Sequence, residues 1–184
     1  MKKKLSNNEF KLMHGIMRLA DHVHPHVSGL AGSFGIIPGM TVVDYGCGPG
    51  RYTVEFARLT GRAGKVIAVD LLEIALRETE KRVRERGFDN VELRLAEGYD
   101  SGIPDATADI VFAVDMFHHV DPGPFLKEAS RIAKPDGLLL ISGGHQTRKS
   151  IKSAVAASGL WEIEEETRQF LKYGKRPEQA LSCY

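Results

Sequence analysis

Residues 41–51, TVVDYGCGPGR, constrain this chain more than any other stretch. A short apolar run, rich in β-branched residues, enters a turn with glycine at 46, 48 and 50, and helical periodicity begins at Arg51. Glycine accepts left-handed backbone and lets a ligand come close to the main chain. A helix starting just after such a turn points unpaired N–H groups over it. Strand, glycine turn and helix in that order form the opening unit of a nucleotide-cofactor fold with a parallel sheet.

The spacing separates two kinds of cofactor. The dinucleotide fingerprint is G-x-G-x-x-G after a strand, with an acid about 20 residues further on. Here the third glycine comes one residue early, Pro49 stiffens the turn, and Asp44 stands two residues before the first glycine. A helix N-terminus and bare main chain suit a pyrophosphate, but a carboxylate at the mouth of the loop repels one. The same carboxylate suits an ammonium group. S-adenosyl-L-methionine carries an ammonium, a carboxylate and a sulfonium, and no phosphate.

Residues 42–53, VVDYGCGPGRYT, resemble the first motif of the class I S-adenosylmethionine-dependent methyltransferases. Residues 66–70, VIAVD, are similar to that family's second strand; residues 109–120, DIVFAVDMFHHV, to its fourth strand and following loop; and residues 125–141, FLKEASRIAKPDGLLLI, to its helix, turn and fifth strand. The four segments run in family order and span roughly residues 39–142, with the small ubiquinone/menaquinone-biosynthesis enzymes as the subgroup most like them. The resemblance implies a doubly wound α/β fold. Its sheet is seven-stranded and mostly parallel, with helices on both faces and an antiparallel last strand lying between strands five and six. It also implies a site. Asp44 would face the methionine ammonium, with Gly46, Cys47, Gly48 and Gly50 lining it through the main chain. Asp70 would accept from the ribose hydroxyls, and Leu71 would pack on the adenine. Glu97 and Gly98 would meet the adenine edge, and the main chain at Ala113 would reach the ammonium. Cys47 by its own chemistry is a small packing residue.

Periodicity predicts strands over Thr41–Tyr45, Lys65–Asp70, Val91–Leu95, residues 110–115 and residues 138–142. Helices are expected over residues 51–59, over a stripe with Leu72, Leu76, Thr79 and Val83 that ends at Gly87, from Pro122 and Pro124 onward, and over Arg148–Ser158. The connection 96–109 has little helical period and reads as loop. Residues 134–137, KPDG, read as a turn, and residues 161–167 and 170–173 as further strands. Strands one, two and four then each deliver an acid to one rim, Asp44, Asp70 and Asp115, with Glu97 just past strand three.

The 184 residues suit one domain: residues 1–38 as a helical packing segment or lid, with Phe10, Met13, Met17 and Ala20 on one stripe, and residues 39–184 as the Rossmann-like core. Twenty-five basic and twenty-four acidic residues leave a net charge of +1, which argues against a nucleic-acid partner. No apolar run reaches the roughly 18 residues of a membrane span, and MKKKLSNNEF has no apolar signal region after its lysines. Two cysteines, 47 and 183, offer no disulfide framework or zinc spacing. A cytoplasmic protein is expected. His22, His24 and His26 alternate, but lack Cys or acid neighbours at ligand spacing apart from Asp21, and no metal is assigned.

The expected activity is in-line transfer of a methyl group to a small apolar or aromatic acceptor, an expectation drawn from Phe10, Met13, Met17, Phe34, Met116 and Phe117. Where the nucleophile carries a proton at neutral pH, His119, His118 or His145 would act as base. A homodimer is left open. The competing readings are an NAD-dependent oxidoreductase on a related sheet, an RNA or protein methyltransferase, and a cofactor-binding module without turnover. The glycine spacing and Asp44 weigh against the first. The second would need an amide–aromatic loop after strand four, where Asp115, Met116, Phe117 and His118 stand instead.

Overall fold

The computed structural model describes residues 32–142 and 146–177 of the chain. Seven strands form one sheet: β1 (Thr41–Tyr45), β2 (Lys65–Asp70), β3 (Val91–Leu95), β4 (Ala108–Ala113), β5 (Ala133–Ser142), β6 (Trp161–Glu166) and β7 (Phe170–Lys175). Their spatial order is β3-β2-β1-β4-β5-β7-β6. The pairs among β1 to β5 are parallel, and β7 runs antiparallel between β5 and β6. The helices are α1 (Arg51–Thr60), α2 (Glu73–Glu85), α3 (Pro122–Ile132) and α4 (Arg148–Ser158). The chain leaves β1 in one direction and returns through β4 in the other. The carboxyl ends of β1 and β4 therefore flank the switch point at which open parallel sheets take ligands.

Strand alternation divides the core. Val43, Tyr45, Ile67, Val69, Val111, Ala113, Leu139 and Ile141 pack against α3 and α4 on one face. Val42, Val66, Ile110, Phe112 and Leu140 pack on the other against Phe56 of α1 and against Phe34. Phe112 stacks on Phe56 at 4.3 Å between ring centroids and lies 4.8 Å from Phe34, itself 5.2 Å from Phe170. This second face places Asp44 beneath the start of α1, one position beyond Val43 and on the opposite side of the sheet from Tyr45.

The first three strands fall where periodicity puts them. β4 begins and ends two residues earlier than expected. Asp109 accepts from the Thr41 N–H at 2.7 Å and pairs with Lys134 at 2.6 Å, which ties the start of β4 to its neighbours. Asp115, with φ of 53°, cannot continue an extended strand. The expected KPDG turn is embedded in β5: the register jumps from Ala108↔Ala133 to Ile110↔Leu138, so residues 134–137 loop out and the strand resumes. A Cβ on Gly137 would meet the Lys134 main chain at 2.9 Å.

The connection between β3 and β4 forms no helix. A polar clamp fastens that crossover instead. Buried Glu128 on α3 accepts from the Ser101 N–H at 3.0 Å and the Ser101 hydroxyl at 2.5 Å, and it binds Arg131, which reaches Asp105 at 2.6 Å. Burial pushes the Glu128 carboxyl up, but the Arg131 and Ser101 bonds outweigh it and hold the group below its ordinary range. Among the described residues no helix is long and apolar enough to cross a membrane.

Candidate cofactor and methyl-transfer site

The glycine loop folds back on β2. The N–H groups of Gly46 and Cys47 both donate to the Val69 carbonyl, at 2.8 and 3.0 Å, and Gly50 closes the turn on Cys47 O at 3.0 Å. Gly46, Gly48 and Gly50 have φ of 78°, 54° and 75°, a region costly for other residues. Two of them are also crowded. A Cβ on Gly46 would sit 2.9 Å from the Met116 side chain, and one on Gly50 would sit 2.8 Å from Thr79 Cγ2 and 3.0 Å from its Cα. The Cβ direction of Gly48 is open. Thr79 on α2 holds the loop from below, donating to the Gly48 carbonyl at 2.9 Å. Gly50→Ala combines strained backbone with a clash against another helix's main chain. We expect it to destabilise the fold by about 2–3 kcal/mol, read from urea denaturation.

Asp70, at the end of β2, uses both oxygens. Oδ2 accepts from the Gly48 N–H at 2.9 Å and Oδ1 from the Leu72 N–H at 2.9 Å. It thus couples the tip of the glycine loop to the start of α2. A carboxylate has about four acceptor sites, so two main-chain bonds do not exhaust it. Leu71, beside it, is half-buried against the α3 face of the core.

Asp44 is 3% exposed. The hydroxyl of Thr53 on α1 donates to its Oδ2 at 2.6 Å, and the Thr53 N–H bonds it as well. Burial pushes the Asp44 carboxyl up from 3.8 to about 7, and Asp70 adds to this, while the Thr53 bonds work against it. Cys47 is buried, its thiol 3.7 Å from the Thr79 hydroxyl, and burial pushes it well above its ordinary range. That is the condition of a packing residue, not of a nucleophile.

Past β3, Ala96 donates to the Asp70 carbonyl at 3.0 Å, and Glu97 and Asp100 exchange main-chain bonds at 3.0 and 3.2 Å across a turn with Gly98 at φ of 68°. The glycine-flanked segment is therefore a closed turn. Tyr99 secures it twice: its carbonyl accepts from the Tyr45 hydroxyl at 2.9 Å, and its own hydroxyl accepts from the Asp121 N–H at 2.7 Å. Glu97 stands exposed at the rim.

Ala113 closes β4, fully buried, beside the β1 end. Met116 packs on Gly46, and a 3₁₀ turn, Phe117–His119, follows. Phe117 points into the core against Phe125, which turns His118, half-buried, and His119, exposed, outward. The two imidazoles lie 3.8 Å apart at 42°. Asp115 beside them accepts from Ser142 at the end of β5, at 3.4 Å. Phe34 and Phe117, 2% exposed each, belong to the core rather than to an acceptor pocket, and Met116 is spent on Gly46. His145, His22, His24, His26, Phe10, Met13 and Met17 lie outside the described residues.

The sequence reading assigned no role to Thr53, Thr79 or Tyr99. Thr79 is legible only as a member of its helix's stripe, and the contact of Thr53 with Asp44 has no local signature.

Residues 43–141, from β1 to β5, match the family described as "Methyltransferase domain". The chain belongs to the class I S-adenosylmethionine-dependent methyltransferases. The chain is 29% identical over 154 residues to a ubiquinone biosynthesis O-methyltransferase of Leptothrix cholodnii, covering 82% of the chain and 61% of the relative. It is 34% identical over 109 residues to the ubiquinone/menaquinone biosynthesis C-methyltransferase UbiE of Escherichia coli, covering 58% and 43%. The chain thus spans less than two thirds of these curated relatives. The fold of a SAM-dependent methyltransferase from Aquifex aeolicus superposes with a TM-score of 0.75 at 25% identity, over 94% of this chain and 98% of the other. S-adenosyl-L-methionine is the cofactor of this family, and the loop's chemistry fits it. Two carboxylates, Asp44 and Asp70, stand at a glycine turn whose open side is Gly48, an acceptor set for the N–H groups of an ammonium and the hydroxyls of a diol.

Proposed function

We propose that this methyltransferase moves the methyl group of S-adenosyl-L-methionine to a small-molecule acceptor at the rim above β1 and β4. The observation that carries the reading is the Asp70 carboxylate, fixed by two main-chain N–H groups at the end of β2 and directed by them to the glycine loop. Asp70 takes the ribose hydroxyls and Leu71 packs on the adenine. The Glu97 side chain and the Gly98 N–H meet the adenine edge. Asp44 takes the methionine ammonium, with the Ala113 main chain as its second acceptor. Gly46, Cys47, Gly48 and Gly50 let the cofactor lie against bare backbone.

The cofactor supplies an electrophilic methyl group on a cationic sulfur that leaves as a neutral thioether. The protein's part is to hold the acceptor in line, a contribution of about 7–11 kcal/mol when the alignment is good. Where the acceptor carries a proton at neutral pH, His119 takes it, with His118 tilted against it at 3.8 Å and His145, three residues beyond β5 in the sequence, as the other candidate. The described rim offers polar groups, Asp115, His118 and His119, to the acceptor. The names of the two relatives place them in ubiquinone biosynthesis, which supports a small aromatic acceptor here.

The test compares a zwitterionic nucleoside with a diphosphate. S-adenosylhomocysteine at one hundred times its Kd is expected to stabilise the fold by about 2.7 kcal/mol, a rise in Tm of several degrees, while NAD leaves Tm unchanged. A shift with NAD alone overturns the reading. Labelled-methyl transfer to fractionated small-molecule extract then identifies the acceptor.

A further inference from the structure

Thr53 occupies the third position of α1 and is wholly buried. A buried helical threonine ordinarily returns its hydroxyl to the carbonyl of the preceding turn, as Thr60 of the same helix does with Phe56 O at 2.8 Å. Thr53 instead aims its hydroxyl across to β1, at Asp44 Oδ2, 2.6 Å away, and its N–H bonds the same carboxylate. Both bonds favour the anion, and so does the N-terminal end of α1.

We propose that Thr53 is a positioning residue for cofactor capture, holding the buried Asp44 carboxylate as the oriented anion that takes the methionine ammonium. This rests on the cofactor reading above and adds to it a residue and a pH window. Several groups face Asp44. Asp70 opposes its ionisation from β2. The Cys47 thiol in the loop and the Tyr52 hydroxyl on α1 are both pushed up by burial, Tyr52 to about 12 with Asp115 adding and Arg51 opposing, so both stay neutral near pH 7. β4 presents Phe112 alongside. Thr53 is thus the group that pulls towards the anion against burial and Asp70, which together bring its titration to about pH 7.

A buried acid poised there has a measurable signature. Below the midpoint the carboxyl is neutral and cannot hold an ammonium, so affinity falls about tenfold for each pH unit. Removing the hydroxyl takes support from the anion and moves the midpoint up by about one unit. The experiment measures S-adenosylhomocysteine affinity by calorimetry from pH 5.5 to 8.5 in the wild type, Thr53→Val and Thr53→Ser. A parallel series uses 5′-methylthioadenosine, which has the nucleoside and thioether without the ammonium. Expected are a wild-type midpoint near pH 7, an upward shift in Thr53→Val, its return in Thr53→Ser, and a flat profile for methylthioadenosine. Near pH 7 the wild type is also expected to release about half a proton on binding S-adenosylhomocysteine, read from two buffers of different ionisation heat; this requires no variant to fold. A pH-independent loss in Thr53→Val means packing alone, and a flat wild-type profile means no linked ionisation; either overturns the inference while leaving the cofactor reading intact. Failure of the wild type to bind S-adenosylhomocysteine at any pH overturns both.

Discussion

Asp44→Asn is expected to make the ligand-free protein more stable and, in the same step, to deprive it of its cofactor. The folded Asp44 carboxyl is raised from 3.8 to about 7 by burial first, and by Asp70. Between those values the unfolded chain has released the proton that the folded chain keeps. The unfolded state therefore binds fewer protons, and stability falls as pH rises from about 4 to about 7. The cost levels off above that, at about 4 kcal/mol as an upper figure. Asparagine has the same shape, still accepts from Thr53 through its carbonyl oxygen, and carries no charge to bury. The variant's advantage should be near zero at pH 4 and greatest above pH 7, with Tm raised by on the order of 5–10 °C at pH 8. Its affinity for S-adenosylhomocysteine at pH 8 should fall about 100-fold, since a buried ammonium would face a neutral amide. Scanning calorimetry at pH 4.5 and 8, with titration at pH 8, checks both. A variant that melts lower at pH 8 would contradict the charge argument.

That tension between stability and binding was half visible in the sequence. An acid two residues before a glycine turn, after an apolar run, already argues for a cation rather than a phosphate. Its partner was not visible, because Thr53 reaches Asp44 only after α1 folds back over β1. The same division runs through the fold. β1, β2 and β3 are set by local alternation and by turns at their ends, and their limits coincide with the pattern. β4 is shifted by Asp109, whose bonds go to Thr41 and Lys134, contacts of long sequence separation. The crossover after β3 has no helical period and forms no helix, but nothing local foretold that Glu128 on α3 would clamp it through Ser101. Phe34 and Phe117 read as pocket residues because aromatic side chains near a site carry no label for which face they take. Both lie in 3₁₀ turns, Gly32–Phe34 and Phe117–His119, and each turn sends its aromatic ring inward.

Asp70 stands one strand from Asp44, and its substitution is expected to act with the opposite sign on stability. Its two oxygens are each committed to a main-chain N–H, Gly48 in the cofactor loop and Leu72 at the start of α2. It is half-buried and stabilised by donors where Asp44 is sealed in. Asp70→Ala removes both acceptors and should lower stability by about 1–3 kcal/mol, because two N–H groups lose their partners at once. It also removes the acceptor pair proposed for the ribose hydroxyls, so S-adenosylhomocysteine affinity should fall by about 100- to 1,000-fold. Asp70→Asn is the sharper variant. An amide has one oxygen, so whichever N–H it leaves, Gly48 or Leu72, then meets an NH₂ donor. The isosteric change should therefore cost nearly as much affinity as alanine, and Tm should fall where Asp44→Asn raises it. Calorimetric titration and melting curves on the three variants in one buffer at pH 8 make the comparison. If Asp70→Asn kept cofactor affinity within a few-fold of wild type, the carboxylate would be neither the loop's anchor nor the ribose acceptor, and the site would have to be rebuilt around the glycine main chain alone.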